Sequence, residues 1–493
     1  MIITNGIKIN DLDNVAVVLE NIKHGQKVLD VEARGDINTG HKIALKPIAA
    51  GENVIKYGSP IGHASAAIRA GEHVHTHNLK TNLCGIQEYT YNPEPVNALH
   101  ASTTATFKGY RRDDGQVGIR NEIWIVNTVG CVNKIAEKIA RLAGDNITGN
   151  VDGVYTFVHP YGCSQLGDDH KYTQQILKNM VNHPNAAGVL VLGLGCENNH
   201  IGEFKEVLGT WDGNRVKFLN TQDVADDVAE GLKLVEELAA YANTFERTEI
   251  PVNKLIIGLK CGGSDGFSGI TANPLVGSLS DYVIAHGGTC ILTEVPEMFG
   301  AETLLMNRAK DKIVFDKTVD LINDFKRYFM RYDQEIYENP SPGNKEGGIS
   351  TLEEKSLGCT QKGGNSQVVD VLNYGETVKK PGLNLLQGPG NDIVAVTNLM
   401  AAGAHIVLFT TGRGTPLGGP VPTVKISSNT ALSKAKSHWI DFDAGELLDG
   451  TSLNRLTEVF FNYIIDLASG TVLAKNETND YREISIFKDG VTL

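Results

Sequence analysis

The stretch EIWIVNTVGCVNKIAEKIARLAG, residues 122–144, decides the fold class of this chain. It opens with the apolar run EIWIVNTV (122–129), which is typical of a strand buried on both faces. It continues as NKIAEKIARLAG (133–144), in which apolar residues recur at helical spacing. A buried strand followed directly by an amphipathic helix is half of a βαβ unit. The stretch therefore predicts a parallel sheet covered by helices.

The same alternation continues toward the C-terminus. Further strands are predicted at VYTFVH (154–159), GVLVLGLG (188–195), VKFLN (216–220), KLIIGLK (254–260), TCILTE (289–294) and HIVLFTTG (405–412). Helices are predicted near 173–183, 203–209, 224–246, 274–286, 313–334, 391–403 and 451–468. We therefore predict two α/β regions with largely parallel sheets, residues 109–247 and 248–493.

The N-terminal part has a different pattern. Short strands separated by turn signals are predicted at IITNGIKI (2–9), VAVVL (15–19), KIAL (42–45), NVIKYG (53–58) and EHVHTHN (72–78). Residues 1–90 are thus expected to form a small, mainly β module. Residues 91–108, YNPEPVNALHASTTATFK, are rich in Pro, Ser and Thr and are predicted to be a linker.

Composition narrows the class of function. The chain has 493 residues and a net charge of −13, which argues against a nucleic acid or an anionic membrane as the main partner. We find neither a run of 18 apolar residues nor a secretory signal at MIITNGIKINDLDN. The seven cysteines are widely spread and lack a CxxC pair. This pattern favours a reducing, cytoplasmic compartment.

Gly-rich polar loops follow most of the predicted strands. In open α/β sheets, ligands bind beyond the carboxyl ends of the strands, so these loops are the expected site. They are PYGCSQLGDDH (160–170), CENNH (196–200), CGGSDGFSGITANP (261–274), VPEMFGAE (295–302) and GRGTPLGG (412–419), with a sixth loop at EEKSLGCTQKGG (353–364). GLGCEN (193–198) lacks the third glycine of a dinucleotide fingerprint, so nucleotide binding is not predicted.

Four cysteines lie in these loops: Cys163, Cys196, Cys261 and Cys359. Thiolates suit iron, zinc or an iron–sulfur cluster, although a small buried thiol is the commoner fate of a cysteine. Cys84, Cys131 and Cys290 are interpreted as structural. In EHVHTHN, a strand would place His73, His75 and His77 on one face. These side chains could be metal ligands, cationic contacts for a carboxylate or simply part of a solvated surface.

Other side chains suit an oxygen-rich anionic ligand. Arg413, between two glycines, could clamp a carboxylate. Lys355 and Lys362 are candidate bases only if burial lowers their pKa. Spacing alone does not identify the reaction.

The loops also resemble a known family. HPYGCSQLGDDH, GLGCENN, CGGSDGFSGITANP, LTEVPEMFGAE, LFTTGRGTP and HWIDFDAG resemble the altronate and galactarate dehydratases, relatives of the sulfolactate sulfo-lyases. VIKYGSPIGHA, GEHVHTHN and REISIFKDGVTL extend the resemblance over essentially the whole chain. It implies an N-terminal SAF (β-clip, antifreeze-like) module ahead of the two α/β regions.

The resemblance also implies a reaction. The expected activity is dehydration of D-altronate to 2-dehydro-3-deoxy-D-gluconate in hexuronate catabolism, dependent on Fe²⁺, with Mn²⁺ or an iron–sulfur cluster as alternatives. On this basis the candidate metal ligands are His75, His77, Cys163, Cys196 and Cys359. The candidate catalytic residues are His170, Lys362 and Lys355, and the candidate substrate-binding residues are Arg413, Ser264, Asp265 and Asn198.

Several alternatives stay open. The substrate could be galactarate or sulfolactate rather than altronate. A thiol-nucleophile hydrolase using Cys163 with His159 or His170, and a sugar-acid binding protein without activity, belong to other classes. A small-molecule sugar acid is the expected partner, and a homodimer is the expected assembly.

Overall fold

The computed structural model describes residues 5–96 and 104–493. Part of the predicted linker, 97–103, and the first residues of the predicted strand 2–9 lie outside this description. The described chain has a β-rich N-terminal part followed by two α/β parts, as the sequence predicts. Within the described ranges, we find no helix with the length and apolar character needed to span a bilayer.

The N-terminal module consists of short antiparallel strands. β1, β2, β5 and β8 form one sheet, β6, β7 and β9 form a second, and β3 pairs with β4. Their bounds are β1 Gly6–Ile7, β2 Val15–Val18, β3 Lys27–Val28, β4 Val31–Glu32, β5 Lys42–Ala44, β6 Asn53–Lys56, β7 Ser59–Ala64, β8 His73–Val74 and β9 Leu79–Lys80. Leu357 of the C-terminal region joins the apolar core of this module, so the two parts pack together.

The predicted strand EHVHTHN is wrong beyond its first residues. β8 ends at Val74, and a turn follows in which the backbone amide of Asn78 donates to the carbonyl of His75 at 3.0 Å. The Asn78 side chain closes the same turn by accepting a 3.0 Å hydrogen bond from the His75 amide. An asparagine side chain competes well with the strand ladder in this way. His75 and His77 therefore lie in a turn.

The middle region is built on a parallel sheet ordered β13–β12–β14–β15. β14 is buried along its whole length because helices cover both faces, as its apolar sequence predicts. β10 pairs with β11 and β16 in a separate antiparallel sheet. The elements are β10 Thr106–Arg111, β11 Val117–Gly118, β12 Glu122–Asn127, α1 Asn133–Gly144, β13 Gly153–Thr156, α2 Gly167–Asn182, β14 Ala186–Gly193, α3 Ile201–Leu208, β15 Val216–Asn220, α4 Asp227–Ala242 and β16 Arg247–Pro251.

The C-terminal region has a seven-stranded parallel sheet, ordered β19–β20–β18–β17–β21–β22–β23. One of its apolar clusters continues into the middle region, where Trp124 and Phe157 belong to the same core as Leu386 and Phe409. The elements are β17 Ile256–Cys261, α5 Ala272–Ala285, β18 Thr289–Leu292, α6 Glu302–Met306, α7 Lys312–Arg331, α8 Pro342–Glu346, α9 Leu352–Cys359, β19 Val368–Leu372, β20 Gly382–Leu386, α10 Asp392–Ala401, β21 Ile406–Thr411, β22 Thr423–Ser427, α11 Thr430–Ala435, β23 Phe442–Asp443, α12 Leu453–Ala468 and α13 Lys475–Thr478.

Candidate metal and substrate site

Three histidines of the N-terminal module face one another. Ring nitrogens of His41, His73 and His75 all lie within 4.8 Å of each other, and Nδ1 of His41 is 3.0 Å from Nε2 of His73. The pairing of β5 with β8 places Ile43 opposite His73, which brings His41 beside it. The exposed His77 flanks this histidine cluster, with its ring centroid 5.4 Å from that of His73.

The cluster lies against the C-terminal region. Nε2 of His41 is 3.0 Å from the carbonyl oxygen of Glu346, and Nδ1 of His75 is 2.8 Å from Oγ of Ser350. Buried Lys42 donates to Oγ of Ser350 at 2.9 Å and to Oε2 of Glu354 at 2.8 Å. The histidines are thus held by residues about 300 positions away along the chain.

These histidines suit a divalent metal ion. Burial, followed by neighbouring cationic groups, lowers the pKa of His73 to about 3 and that of His75 to about 4, and burial also lowers the pKa of His41. All three rings are therefore neutral near pH 7, which is the form that binds metal. Two ligands at right angles, each about 2.1 Å from an ion, lie about 3 Å apart, as the nitrogens of His41 and His73 do. Imidazole nitrogens suit Fe²⁺ and Zn²⁺ alike.

A segment of the C-terminal region, residues 339–350, lies between the cluster and the predicted substrate-binding residues. Arg413 contacts this segment, since its guanidinium is 2.9 Å from Oε2 of Glu346 and donates to the carbonyl of Gly343 at 3.2 Å. Asn344 donates to the carbonyl of Ser264 at 2.8 Å, and Lys355 donates to Oδ1 of Asn344 at 3.3 Å. The fold thus connects Arg413, Ser264 and Lys355 to the segment that supports His41.

Ser264 and Asp265 differ in how their side chains are used. Oγ of the buried Ser264 has no hydrogen-bond partner in the described ranges 5–96 and 104–493. Asp265 accepts hydrogen bonds from the hydroxyls of Ser268 and Ser428 at 2.9 and 2.8 Å and from Asn429 at 3.2 Å. Asp265 therefore fixes the loop after β17, whereas Ser264 keeps a free hydroxyl.

A second buried group lies at the carboxyl ends of β17 and β18. Sγ of Cys261 is 3.3 Å from Sγ of Cys359 and 2.9 Å from Oε2 of Glu297. Lys355 forms an ion pair with Glu297 at 2.8 Å, Lys362 lies 3.5 Å from Glu294, and Lys260 contacts Glu294 and Asp392. Ligand atoms of Cys261, Glu297 and Cys359 all lie within 4.8 Å of one another, so this buried group is a second set of residues that could hold a metal ion.

Two of the proposed catalytic lysines do not meet the condition for a base. Burial opposes the charged form, yet the carboxylate of Glu297 raises the pKa of Lys355 above its usual value. At Lys362, burial is outweighed by the charges of Cys261, Cys359 and Glu294, and the pKa rises well above its usual value. A general base needs a lowered lysine pKa, so these pKa directions do not support Lys355 and Lys362 as bases.

The predicted metal set does not come together as one group. Cys359 lies in the buried network beside Cys261, where its hydrogen bond to Cys261 and burial raise the pKa of its thiol. Cys163 and Cys196 are exposed at the edge of a different sheet, that of the middle region. The reason is topological, because the two parallel sheets each have their own carboxyl edge. His75 remains in the histidine cluster, with His41 as a ligand candidate that was missed.

Asn198 and His170 also belong to the middle region. Oδ1 of Asn198 accepts a 2.8 Å hydrogen bond from the amide of Ser164. Nε2 of His170 lies 3.0 Å from Oε1 of Glu203. Their contacts thus lie in the middle region, in its loops for Asn198 and between helices α2 and α3 for His170.

Comparison with known proteins identifies the family. The chain matches the Altronate/galactarate dehydratase SAF domain over residues 4–82, the D-galactarate dehydratase/Altronate hydrolase second domain over 109–243 and the D-galactarate/Altronate dehydratase C-terminal model over 252–492. It is 56% identical to a protein named altronate dehydratase from Bacillus subtilis (strain 168), over 99% of both chains. The chain belongs to the altronate/galactarate dehydratase family. This confirms the resemblance, and with it the SAF module ahead of two α/β regions.

Two further members of the family show its breadth. The altronate dehydratase of Escherichia coli (strain K12) is 55% identical over 99% of both chains. The galactarate dehydratase (L-threo-forming) of the same organism is 33% identical over 94% of this chain and 92% of its own.

His41, Lys42 and Ser350 were not predicted as site residues from the sequence, although the structure places them in or against the histidine cluster. His41 directly precedes the predicted strand KIAL (42–45). The one sign of a functional site in this stretch was Lys42, a charged residue in an otherwise apolar strand. Its partner His73 is 32 residues away and its contact with Glu346 spans 305 residues. Local spacing carries no information about such contacts.

Proposed function

We propose that the chain is a hydro-lyase that converts D-altronate to 2-dehydro-3-deoxy-D-gluconate and water. The observation that carries the proposal is the cluster of neutral His41, His73 and His75 between the SAF module and the C-terminal region. The two relatives named altronate dehydratase support this substrate, because their identity extends over nearly the whole chain.

The histidine cluster would hold a divalent ion, for which we propose Fe²⁺, with Mn²⁺ as an alternative. When bound, such an ion supplies a Lewis acid for the carboxylate and hydroxyl oxygens of a sugar acid. Ser350, held by Lys42, fixes the His75 ring through its Nδ1. A ligand histidine oriented in this way keeps the correct tautomer and ring direction.

The remaining steps are proposed for residues around the cluster. Arg413 would exchange its partner Glu346 for the carboxylate of the substrate, since both are exposed enough to separate. The free hydroxyl of Ser264 would bind a sugar hydroxyl. Exposed His77 would contact the substrate beside the cluster and take part in proton transfer. Removal of the C2 proton and departure of the 3-hydroxyl as water leave an enol, which becomes the 2-keto acid.

We further propose a cytoplasmic enzyme of hexuronate catabolism that works as a homo-oligomer. The compartment is supported by seven free cysteines, including Cys261 and Cys359, whose sulfurs are 3.3 Å apart and share a hydrogen bond rather than a disulfide. Such a pair persists as thiols in a reducing environment.

The test is anaerobic turnover of D-altronate, galactarate and sulfolactate, with Fe²⁺ added or chelated. Formation of a 2-keto-3-deoxy acid from altronate, lost on chelation and restored by Fe²⁺, would support the proposal. The His73→Ala variant should lose this activity and its bound ion, while His24→Ala, at an exposed site of the same module, should keep both. Preferred turnover of galactarate would favour the activity named for the 33% identical relative.

Metal-independent turnover with rapid inactivation by alkylating agents would instead favour the thiol-nucleophile class. Binding without turnover would favour the sugar-acid binding protein.

A further inference from the structure

Three exposed cysteines follow three neighbouring strands of the middle region. Cys131, Cys163 and Cys196 come after β12, β13 and β14, and β12 lies between the other two in the sheet. Cysteine is among the residues most often buried, so three exposed thiols at one sheet edge require an explanation other than packing. Cys131, interpreted from sequence as structural, belongs with the other two.

The loops that carry these cysteines are bound to one another. The amide of Gly130 donates to the carbonyl of Tyr161 at 2.9 Å, and the amide of Asn199 donates to the carbonyl of Gly162 at 3.0 Å. The Asn199 side chain also donates to the carbonyl of Thr128 at 3.1 Å. Gly162 has a φ of +97°, and a Cβ there would lie 1.9 Å from the carbonyl oxygen of Thr128. This packing requires glycine and holds the three loops in close contact.

Each cysteine also precedes the first turn of a helix. Cys131 lies two residues before α1, Cys163 four before α2 and Cys196 five before α3. The three cysteines therefore all lie in strand-to-helix turns at one edge of the sheet.

Buried polar groups without partners lie at the same edge. Oδ1 of Asn127 at the end of β12, Nε2 of Gln165 and Oδ1 of Asn199 lack a hydrogen-bond partner among the residues that the structure describes. Each of these residues is at most 4% exposed. Unmet donors and acceptors are costly when buried, and they point to a polar group bound beside them.

We propose that Cys131, Cys163 and Cys196 hold a [4Fe–4S]-type cluster, separate from the histidine cluster. A single tetrahedral ion would bring three sulfurs within about 3.8 Å of each other. Among the described residues, these cysteines do not form a group with all ligand atoms within 4.8 Å. A cluster binds each cysteine through a different iron, so it spans larger separations. Three thiolates would bind three of its irons, and the fourth iron would be free to bind an oxygen of a small molecule.

The C-terminal residues 489–493 contact the loop that carries Cys163 and the start of helix α2. The amide of Leu493 donates to the carbonyl of Ser164 at 3.0 Å, and Asp169 accepts hydrogen bonds from the amides of Asp489 and Gly490 at 2.7 and 2.8 Å. These contacts fix the loop of Cys163 next to the cluster that we propose.

The test is the content of iron and acid-labile sulfide in the full-length protein, reconstituted anaerobically with Fe²⁺ and sulfide. We expect bound sulfide in the wild type, with the broad visible absorption of thiolate-ligated iron. The Cys131→Ser, Cys163→Ser and Cys196→Ser variants should each lose the sulfide, whereas Cys84→Ser, at an exposed cysteine of another region, should keep it. His73→Ala should also keep it, which separates this site from the histidine cluster.

Alkylation provides a readout on the unmodified chain. Mass spectrometry should show that reconstitution protects Cys131, Cys163 and Cys196 and leaves Cys84 reactive. A wild type without acid-labile sulfide, or a Cys131→Ser variant that binds as much sulfide as the wild type, would overturn the proposal. Because the result is read as sulfide and not as turnover, it is independent of the proposed dehydratase activity.

Discussion

Lys42 of the SAF module and Glu354 of helix α9 form a buried ion pair, with Nζ 2.8 Å from Oε2 and both side chains at most 1% exposed. The other carboxylate oxygen of Glu354 is 2.8 Å from Nζ of Lys56. One carboxylate of the C-terminal region therefore neutralises two buried lysines of the module. The pair also positions Ser350 beside His75, so it connects the docking of the module to the histidine cluster.

The Glu354→Gln substitution should destabilise the folded protein strongly. It leaves two buried ammonium groups without a counter-charge, which typically costs about 3–5 kcal/mol. Chemical denaturation monitored by circular dichroism measures the free energy of unfolding. The control is Glu137→Gln, which removes an exposed ion pair with Lys134 and should leave stability nearly unchanged. Equal stabilities of the two variants would contradict a docking function for Glu354.

Arg413→Gln should weaken the binding of the sugar acid. Loss of a charge-assisted hydrogen bond to a carboxylate costs about 1.5–3 kcal/mol, which corresponds to a KM higher by about tenfold to a hundredfold. Glu346→Gln is the matched control, because it removes the internal partner of the guanidinium and should leave KM equal or lower. A fall in kcat at constant KM would place Arg413 outside the carboxylate site.

Ser350→Ala should reduce the affinity of the histidine cluster for its ion. The hydroxyl lies 2.8 Å from Nδ1 of His75, and loss of such a contact to a ligand histidine typically costs about 10–100-fold in metal affinity. Titration of the metal-free protein with Fe²⁺ under anaerobic conditions measures the change. Ser437→Ala, at an exposed position of the C-terminal region, should bind as the wild type does.

Cys359→Ala should keep its full content of iron. The proposed Fe²⁺ site is the histidine cluster, and Cys359 lies apart from it in a buried group with Cys261 and Glu297, so loss of this thiol should leave the histidine-bound ion in place. We expect a loss of stability of about 1–3 kcal/mol. The iron content of Cys359→Ala is measured alongside that of His73→Ala. A Cys359→Ala protein depleted of iron would show that Cys359 is a metal ligand.

The protein should lose stability as the pH falls below 6.5, partly through His183. Burial, with His405 nearby, lowers the pKa of His183 to about 3. Because the unfolded chain then binds more protons than the folded one, the stabilisation present above pH 6.5 declines on acidification, by about 2 kcal/mol at pH 5.

His183→Gln should flatten this dependence between pH 7 and pH 5. Exposed His438→Gln should reproduce the wild-type pH profile. Urea unfolding at the two pH values measures the free energy of unfolding. If this free energy changes equally between pH 7 and pH 5 in His183→Gln and the wild type, His183 does not contribute to the pH dependence.

Much of the fold was predictable because strands and helices depend on local periodicity. The helix predicted at 133–144 is α1 Asn133–Gly144, and the apolar run 188–195 contains most of β14 Ala186–Gly193. The strand predicted at 72–78 failed because the side chain of Asn78 closes a turn, an effect that a pattern of alternating residues does not show.

The candidate site was predictable as a set of loops but not as a set of ligands. The sequence by itself determined that polar loops carrying Cys163, Cys196 and Cys359 follow the strands, because apolar runs and turns are local features. Only the tertiary structure decided that these cysteines belong to two different sheet edges and that His41 joins His73 and His75. The physical reason is that strand order depends on contacts between distant strands, and the docking of the module through Lys42 and Glu354 depends on a contact across 312 residues.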